Sequence, residues 1–298
     1  MRLPVNLSHL EIETVRGCFL KCRWCTLDRE KPYQFMEIDL FKKIIGELAR
    51  VHGGYYRIEL FRGGEPFLHP DIRGLISIIG QTGAFKDTIL SFYTNAMVFK
   101  KEQMEAIVDS SLHFEVVFSV DGVGTPESFE YMRPGARWNT VRKKIEQLHR
   151  LKKGSRYEGL KKIALSTIIP HAKAVPFAVP HVEEVTRRIK EEFTPLGVDM
   201  FYDRVIHRWN GQIILDGMPV PEKRNGPCCF MKRGGMSILV DGRVSACCGD
   251  MDNRLVHGDL NKEPLDEIYY SEKLVKMREA MLMGERFRLD VCGACDLR

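Results

Sequence analysis

Gly17-Cys18-Phe19-Leu20-Lys21-Cys22-Arg23-Trp24-Cys25 sets three cysteines in the spacing C-x3-C-x2-C. Three thiolates supply three ligands, and a cluster iron left without a fourth protein ligand can take a small molecule instead. A zinc knuckle needs a fourth ligand close by. No cysteine or histidine stands between residues 26 and 51, and His52 is the first. The loop follows a stretch, Leu10 to Val15, in which Leu10, Ile12 and Thr14 alternate with Glu11, Glu13 and Val15, the pattern of a half-buried strand. A second run, Gly63-Gly64-Glu65-Pro66, also follows an apolar strand, at Arg57–Phe61.

Outward from these two runs, the first two-thirds of the chain alternates strands with helices. Asp39 is placed to cap a helix carrying Leu40, Ile44, Ile45 and Leu48 on one face. Pro70-Asp71 opens another through Leu75, Ile78 and Ile79. Strand-like runs follow at 88–93, 114–120, 162–169 and 198–202, with helical stretches around 101–109, 138–152 and 181–193. Six strand–helix periods predict parallel strands joined by crossover helices. Six rather than eight predicts an α/β fold of the open kind, a partial (β/α)6 TIM-like barrel. Chemistry in such folds collects at the C-terminal ends of the strands. The Cys18 loop, the Gly63 run, Thr94-Asn95 and Ser119-Val120-Asp121 all follow predicted strands, so they converge on one rim. Residues 204–227 are rich in Gly, Pro and Asn and read as a connector. Beyond it, Ser237–Val240 and Arg243–Ala246 flank Asp241-Gly242 as a β-hairpin. One helix is expected from about Pro264 to Met283, with Leu265, Ile268, Leu274, Met277 and Met281 as its apolar positions. The expected domains are therefore a barrel over 1–205 and a small hairpin-plus-helix domain over 206–298.

With 298 residues, the chain is long enough for both. Its net charge of +5 is too slight to argue for nucleic acid or an anionic membrane as partner. No apolar run approaches a membrane span, and Met1–Leu7 lacks the pattern of a signal peptide, so a cytoplasmic location is expected. Of nine cysteines, three lie at 18–25, none between 26 and 227, and six between 228 and 295. In a reducing compartment such clustering points to metal ligands rather than disulfides.

The C-x3-C-x2-C loop and the Gly63-Gly64-Glu65-Pro66 run together resemble the radical S-adenosylmethionine (SAM) enzyme superfamily. The resemblance implies that Cys18, Cys22 and Cys25 hold a [4Fe–4S] cluster whose remaining iron is chelated by SAM. It implies that Gly63, Gly64 and Glu65 bind the SAM amino group. Glycines let the backbone approach a ligand closely, and the carboxylate accepts from the ammonium. Trp24 stands where relatives have an aromatic near the adenine, although it also reads as a core tryptophan. Asn95, Ser119 and Asp121 match segments that contact the SAM ribose or carboxylate, and Arg133 matches an arginine whose guanidinium can pair with that carboxylate. The segment Met236–Cys247 resembles SPASM and twitch domains, in which a hairpin carries G-x4-C. Six cysteines fit a twitch-type domain with one auxiliary [4Fe–4S] cluster on Cys229, Cys247, Cys292 and Cys295, separated by 18, 45 and 3 residues. The doublets Cys228-Cys229 and Cys247-Cys248 leave the register open by one. Cys228 and Cys248 are then spare, as packing thiols or, for Cys248, as a hydrogen-atom donor to a substrate radical.

Relatives of this kind act on sugars, aminocyclitols, aminoglycosides or ribosomally made peptides. Peptide-modifying members often carry a leader-binding domain before the barrel, where only about ten residues stand here. The expectation is a small polyhydroxylated substrate, dehydrogenated or epimerised in antibiotic-type biosynthesis, with flavodoxin or ferredoxin as one-electron donor. Peptide epimerisation or crosslinking is the second reading. A non-catalytic iron–sulfur carrier is a third, against which the intact Gly63–Glu65 run argues. Glu59, Arg62, Tyr93, Asp203 and Arg204 are candidate acids and bases at the barrel mouth, none singled out by a motif.

Overall fold

A computed structural model describes residues 9–51, 54, 56–205 and 225–295. In chain order the strands are β1 (His9–Ile12), β2 (Val15–Arg16), β3 (Gln34–Phe35), β4 (Arg57–Glu59), β5 (Ile89–Thr94), β6 (His113–Ser119), β7 (Leu160–Ile169), β8 (Met200–Val205), β9 (Met236–Ile238), β10 (Arg243–Ser245) and β11 (Val256–Asp259). The helices are α1 (Ile38–Arg50), α2 (Ile72–Gln81), α3 (Lys101–Val108), α4 (Pro126–Met132), α5 (Trp138–Gly154), α6 (Val182–Phe193), α7 (Cys229–Lys232), α8 (Leu265–Tyr269), α9 (Glu272–Leu282) and α10 (Asp290–Gly293). Six strands, β1 and β4 to β8, pair in parallel in sequence order, each joined to the next by a crossover. This is the partial barrel that the six periods predict. Among the described residues no helix is long and apolar enough to cross a membrane.

Two features depart from the sequence reading. The hairpin β9–β10 does not stand apart: β9 pairs in parallel with β1, and β10 and β11 extend the sheet to nine strands. The second is the alternation in β1. Leu10 and Ile12 are buried in the core, and Glu11 and Glu13 are buried as well, at 6% and 0% exposure. A strand in a barrel has helices on one side and the lumen on the other, so its polar residues face an interior rather than water.

Local signals account for most element boundaries. The Asp71 carboxylate accepts from Gly74 N at 2.8 Å and caps α2, whose buried face is Ile72, Leu75, Ile76 and Ile79. α1 starts one residue before Asp39, with Glu37 at the cap. Asp39 therefore lies in the first turn, where its charge complements the positive end of the helix dipole. Thr125 and Ser128 cap α4 reciprocally. The helix expected over 264–283 is broken into α8 and α9, because Ser271 has an extended backbone. Gly242 turns the hairpin at φ +89°, as the Asp-Gly signal requires. Most of the expected connector, residues 206–224, lies outside the described residues, and so does the boundary placed at 205/206.

Candidate active site

The cysteine loop leaves β2 and is held on the barrel rim by neighbouring backbone. Gly17 N donates to Gly63 O at 3.1 Å and Glu65 N to Gly17 O at 3.0 Å, so the two signature runs are hydrogen-bonded to each other. A Cβ on Gly64 would lie 2.6 Å from the carbonyl oxygens of Val15 and Gly17, and one on Gly63 would strike the Glu13 carboxylate. The glycines are thus required by the approach of two protein loops. Glu13, wholly buried, is the hub beneath them. It accepts from Gly63 N at 3.1 Å, from Arg16 Nη1 at 3.0 Å and from Val240 N at 3.2 Å, with Arg62 at 3.6 Å. It ties the glycine run to the hairpin turn by one carboxylate.

Glu65 is 2% exposed and accepts from Thr94 Oγ1 at 2.7 Å, Asn95 N at 2.8 Å and Phe67 N at 3.4 Å. Burial nevertheless pushes its carboxyl up to about 7, against these donors, which lower it. Asn95 Nδ2 reaches Cys18 Sγ at 3.5 Å, which joins the β5 rim to the cysteine loop. Burial pushes the Cys18 thiol up to about 12 and raises Cys22 also. Loading metal onto such thiols releases their protons.

On the opposite side of the loop, Asp121 organises a second group. Its Oδ2 accepts from Trp24 Nε1 at 2.8 Å and Arg133 Nε at 2.7 Å, and its Oδ1 from Ile168 N at 3.0 Å. Both oxygens are therefore spent on protein donors. Arg133 is nearly buried, its guanidinium lies 5.6 Å over the Trp24 ring, and its terminal nitrogens donate no hydrogen bond among the described residues. Asp121 and the nearby cysteines raise its pKa further above the usual arginine value, against burial, the largest effect, which lowers it. Ser119 ends β6 opposite Ser166, half-exposed at the same rim.

The second cysteine set forms at the hairpin. Cys247 follows β10, Cys292 lies in α10 and Cys295 just beyond it. Burial pushes Cys292 up to about 12, and Cys247, Cys228 and Cys295 are within electrostatic reach of it. Cys228 at the N-cap of α7 is partly buried, whereas Cys229 is exposed. Cys248 hydrogen-bonds to Cys247, which lowers the Cys247 thiol and pushes its own well above the usual value. Arg286, 2% exposed, donates to Cys292 O and Cys295 O, each at 3.1 Å, and so fixes the last two thiols. Arg62 joins the Glu13 hub to the hairpin: it stands 3.6 Å from Glu13 and donates to Cys247 O at 3.4 Å, to Asp250 O and to Asn253 Oδ1 at 3.1 Å. Among the described residues the nine cysteines are free thiols, so both sets are available to metal.

The sequence reading gives no role to Glu13, Arg16 or Arg286. Glu13 alternates with apolar neighbours and was countable as a strand residue. Its partners come from Gly63 and Val240, which no local pattern connects.

A cluster on three thiolates keeps one iron for an outside ligand, and the unspent arginine fork beside it suits a carboxylate. Fold and site together define an iron–sulfur enzyme built on a partial barrel. The chain belongs to the radical SAM superfamily, which matches residues 12–169, more than half its length. Residues 228–296 match the SPASM iron–sulfur cluster-binding domain. SAM and [4Fe–4S] clusters, one binding SAM and one auxiliary, are its cofactors. The chain is 29% identical over 149 residues to GTP 3',8-cyclase of Chlorobaculum tepidum, covering 49% of this chain and 42% of that protein. It is 27% identical over 83 residues to the S-adenosyl-L-methionine-dependent 2-deoxy-scyllo-inosamine dehydrogenase of Niallia circulans, covering 28% and 33%. It thus spans less than half the length of these curated relatives. Its fold is similar to BtrN, solved with AdoMet and 2-DOIA (TM-score 0.59, 18% identity, 99% of this chain and 94% of that one). It is also similar to Streptococcus suis SuiB bound to its precursor peptide SuiA (TM-score 0.62, 14% identity, 97% and 70%).

Proposed function

We propose that this enzyme acts on a small polyhydroxylated substrate of the sugar, aminocyclitol or aminoglycoside type, held in the barrel lumen, and dehydrogenates or epimerises it in antibiotic-type biosynthesis. The observation that carries this reading is the polarity of the concave face. Glu11, Glu59, Ser91 and Glu115 stand side by side in register across β1, β4, β5 and β6. Arg57 reaches past β5 to Glu115 at 2.5 Å, and Tyr202 reaches past β7 to the same carboxylate at 2.7 Å. Chords of that kind cross the inside of a curved sheet, and they line it with donors and acceptors suited to hydroxyl groups. The near-complete overlap with BtrN, a structure holding a small ligand, supports the same reading.

We take Cys18, Cys22 and Cys25 as ligands of the SAM-binding cluster. Cys247, Cys292 and Cys295 hold the auxiliary one with Cys228 in place of the Cys229 expected from spacing; what supports Cys228 is that it is partly buried and within electrostatic reach of Cys292, while Cys229 is exposed. When bound, these groups supply a 5′-deoxyadenosyl radical that abstracts hydrogen. Arg133 offers its fork to the SAM carboxylate and Glu65 its charge to the ammonium. Asp121 holds Arg133 and Trp24 in place, and Asn95 and Ser119 border the ribose. Cys248 is the candidate donor for epimerisation. The electron donor is of the flavodoxin or ferredoxin type, and the enzyme works in the cytoplasm.

The test is anaerobic reconstitution with SAM and reductant against a panel of aminocyclitols, aminoglycosides and ribosomal peptides. Substrate-stimulated 5′-deoxyadenosine is expected with the first two classes, and turnover of peptides alone overturns the reading. In deuterated water, an epimerase places deuterium in the product. Cys248→Ala then stops product formation while 5′-deoxyadenosine still forms, whereas a dehydrogenase keeps its rate.

A further inference from the structure

A third group of ligating side chains contains no cysteine, although its Glu11 lies within electrostatic reach of Cys247 and Cys248 in the hairpin set. His9 and Glu11 stand two residues apart on β1, and Glu59 is the register partner of Glu11 on β4. One ligand atom from each lies within 4.8 Å of the other two. Glu11 and Glu59 are each only 6% exposed. Two buried carboxylates this close repel each other unless donors or cations face them. Few do. Glu11 accepts one hydrogen bond, from Ser237 Oγ at 2.7 Å. Glu59 accepts none among the described residues; Arg57 stands 4.0 Å from it and is committed to Glu115 and Ser91. Arg62, the other nearby guanidinium, lies within electrostatic reach of Glu11 but gives its terminal nitrogens to Asn253 and to the carbonyls of Cys247 and Asp250, and stands 3.6 Å from Glu13.

The remaining neighbour is His9, whose Nε2 lies 3.5 Å from Glu59 Oε2. That is long for a hydrogen bond. It is, however, about the edge of a coordination polyhedron whose metal–ligand bonds are ~2.0–2.2 Å. The ring is steadied by an edge-on contact with Phe230, 5.5 Å between centroids. One imidazole and two carboxylates form a donor set for Zn²⁺, Mn²⁺ or Fe²⁺, and three protein ligands leave positions open.

We propose that His9, Glu11 and Glu59 form a divalent-cation site on the lumen side of β1 and β4, with ligands distinct from those of both cysteine sets. It does not depend on the identity of the substrate. The test uses the fully cluster-loaded enzyme, so that the cysteine thiols are occupied. Mn²⁺ is titrated while the six-line EPR signal of the free ion is followed, and Zn²⁺ is measured by equilibrium dialysis with elemental analysis. About one ion per chain beyond the cluster iron is expected, with affinity falling at least tenfold in His9→Ala and in Glu59→Gln. Iron content and cluster absorbance should stay unchanged. Should Glu59→Gln fail to fold, His9→Ala, which alters a partly exposed side chain, decides alone. A wild-type enzyme that takes up neither ion, as expected if Glu11 and Glu59 merely share a proton, overturns the proposal. Equal affinity in wild type and variants overturns it too.

Discussion

A buried arginine stands beside the three barrel cysteines and another beside Cys292 and Cys295, and the two are used differently. Arg133, beside Cys18–Cys25, gives its Nε to Asp121 and keeps its terminal nitrogens unbonded among the described residues. Arg286, beside Cys292 and Cys295, spends its guanidinium on the carbonyls of those two cysteines and of Gly226. A guanidinium offers five donors in a fixed fork. Where the protein consumes them, the site is finished by its own backbone. Where it leaves them, the site waits for an anionic ligand. On this comparison the barrel site is the open one and the hairpin site the closed one, in keeping with the three- and four-thiol ligand sets proposed above.

This contrast breaks most severely at Arg286. In Arg286→Ala two or three buried carbonyls lose their donor, at about 1–3 kcal/mol each, and the Cys292–Cys295 turn loosens. Iron is expected to fall from about eight to about four per chain, with SAM binding retained. Loss of all iron would mean that the two sites do not fold independently. Next in size is Arg133→Lys, which keeps the charge and removes the fork. SAM affinity, read by equilibrium dialysis, is expected to fall about 10–100-fold with both clusters intact. An unchanged affinity would mean that the free fork is not the carboxylate anchor.

How much of this was legible in the sequence follows the same division. The open site was legible because its parts are local: Cys18, Cys22 and Cys25 lie in one turn of chain, Gly63 to Glu65 in another, and each follows a strand. The barrel was legible from the period of its strands and helices. Glu13 and Arg286 were not. Glu13 falls on the polar side of a strand read as half-buried and Arg286 lies in no motif, because only the lumen and the folded C-terminal turn bury them. The doublet Cys228-Cys229 shows the limit at the scale of one residue. Spacing favours Cys229, whereas Cys228 at the N-cap of α7 is the less exposed of the two. The break between α8 and α9 escaped for a similar reason: the apolar positions run on across Ser271 in helical spacing while its backbone does not.

A smaller effect distinguishes the sites by pH. Burial raises the Glu65 carboxyl to about 7 in the ligand-free chain. A raised acid contributes stability that is fully present below its unfolded value, about 4.5, and is lost as pH climbs through 7. The SAM-free chain should therefore lose thermal stability between about pH 4.5 and 7, and Glu65→Gln should flatten that slope. SAM's amino group donates to the ionised carboxylate, so SAM affinity should rise about fivefold from pH 6 to 7 and level off above about pH 8. A pH-independent affinity would remove Glu65 from the ammonium site.

The smallest expected effect lies on the cluster itself. Asn95 Nδ2 points at Cys18 Sγ from 3.5 Å, and no comparable side-chain amide reaches the hairpin set among the described residues. A hydrogen bond to a ligand sulfur stabilises the more negative, reduced cluster, so removing it lowers the potential. Taken as roughly 0.5–1 kcal/mol for a long contact to sulfur, the change is roughly 20–40 mV for one electron. Asn95→Ala should shift the SAM-binding cluster down by that amount in an EPR-monitored redox titration and leave the auxiliary cluster where it was. The Asn95 backbone N–H still reaches Glu65 in the variant, so the carboxylate keeps its place. A shift in both clusters would mean that the mutation acts through the shared Glu13–Arg62 frame. A shift in the first alone would mark Asn95 as a local control on how readily the open site is reduced.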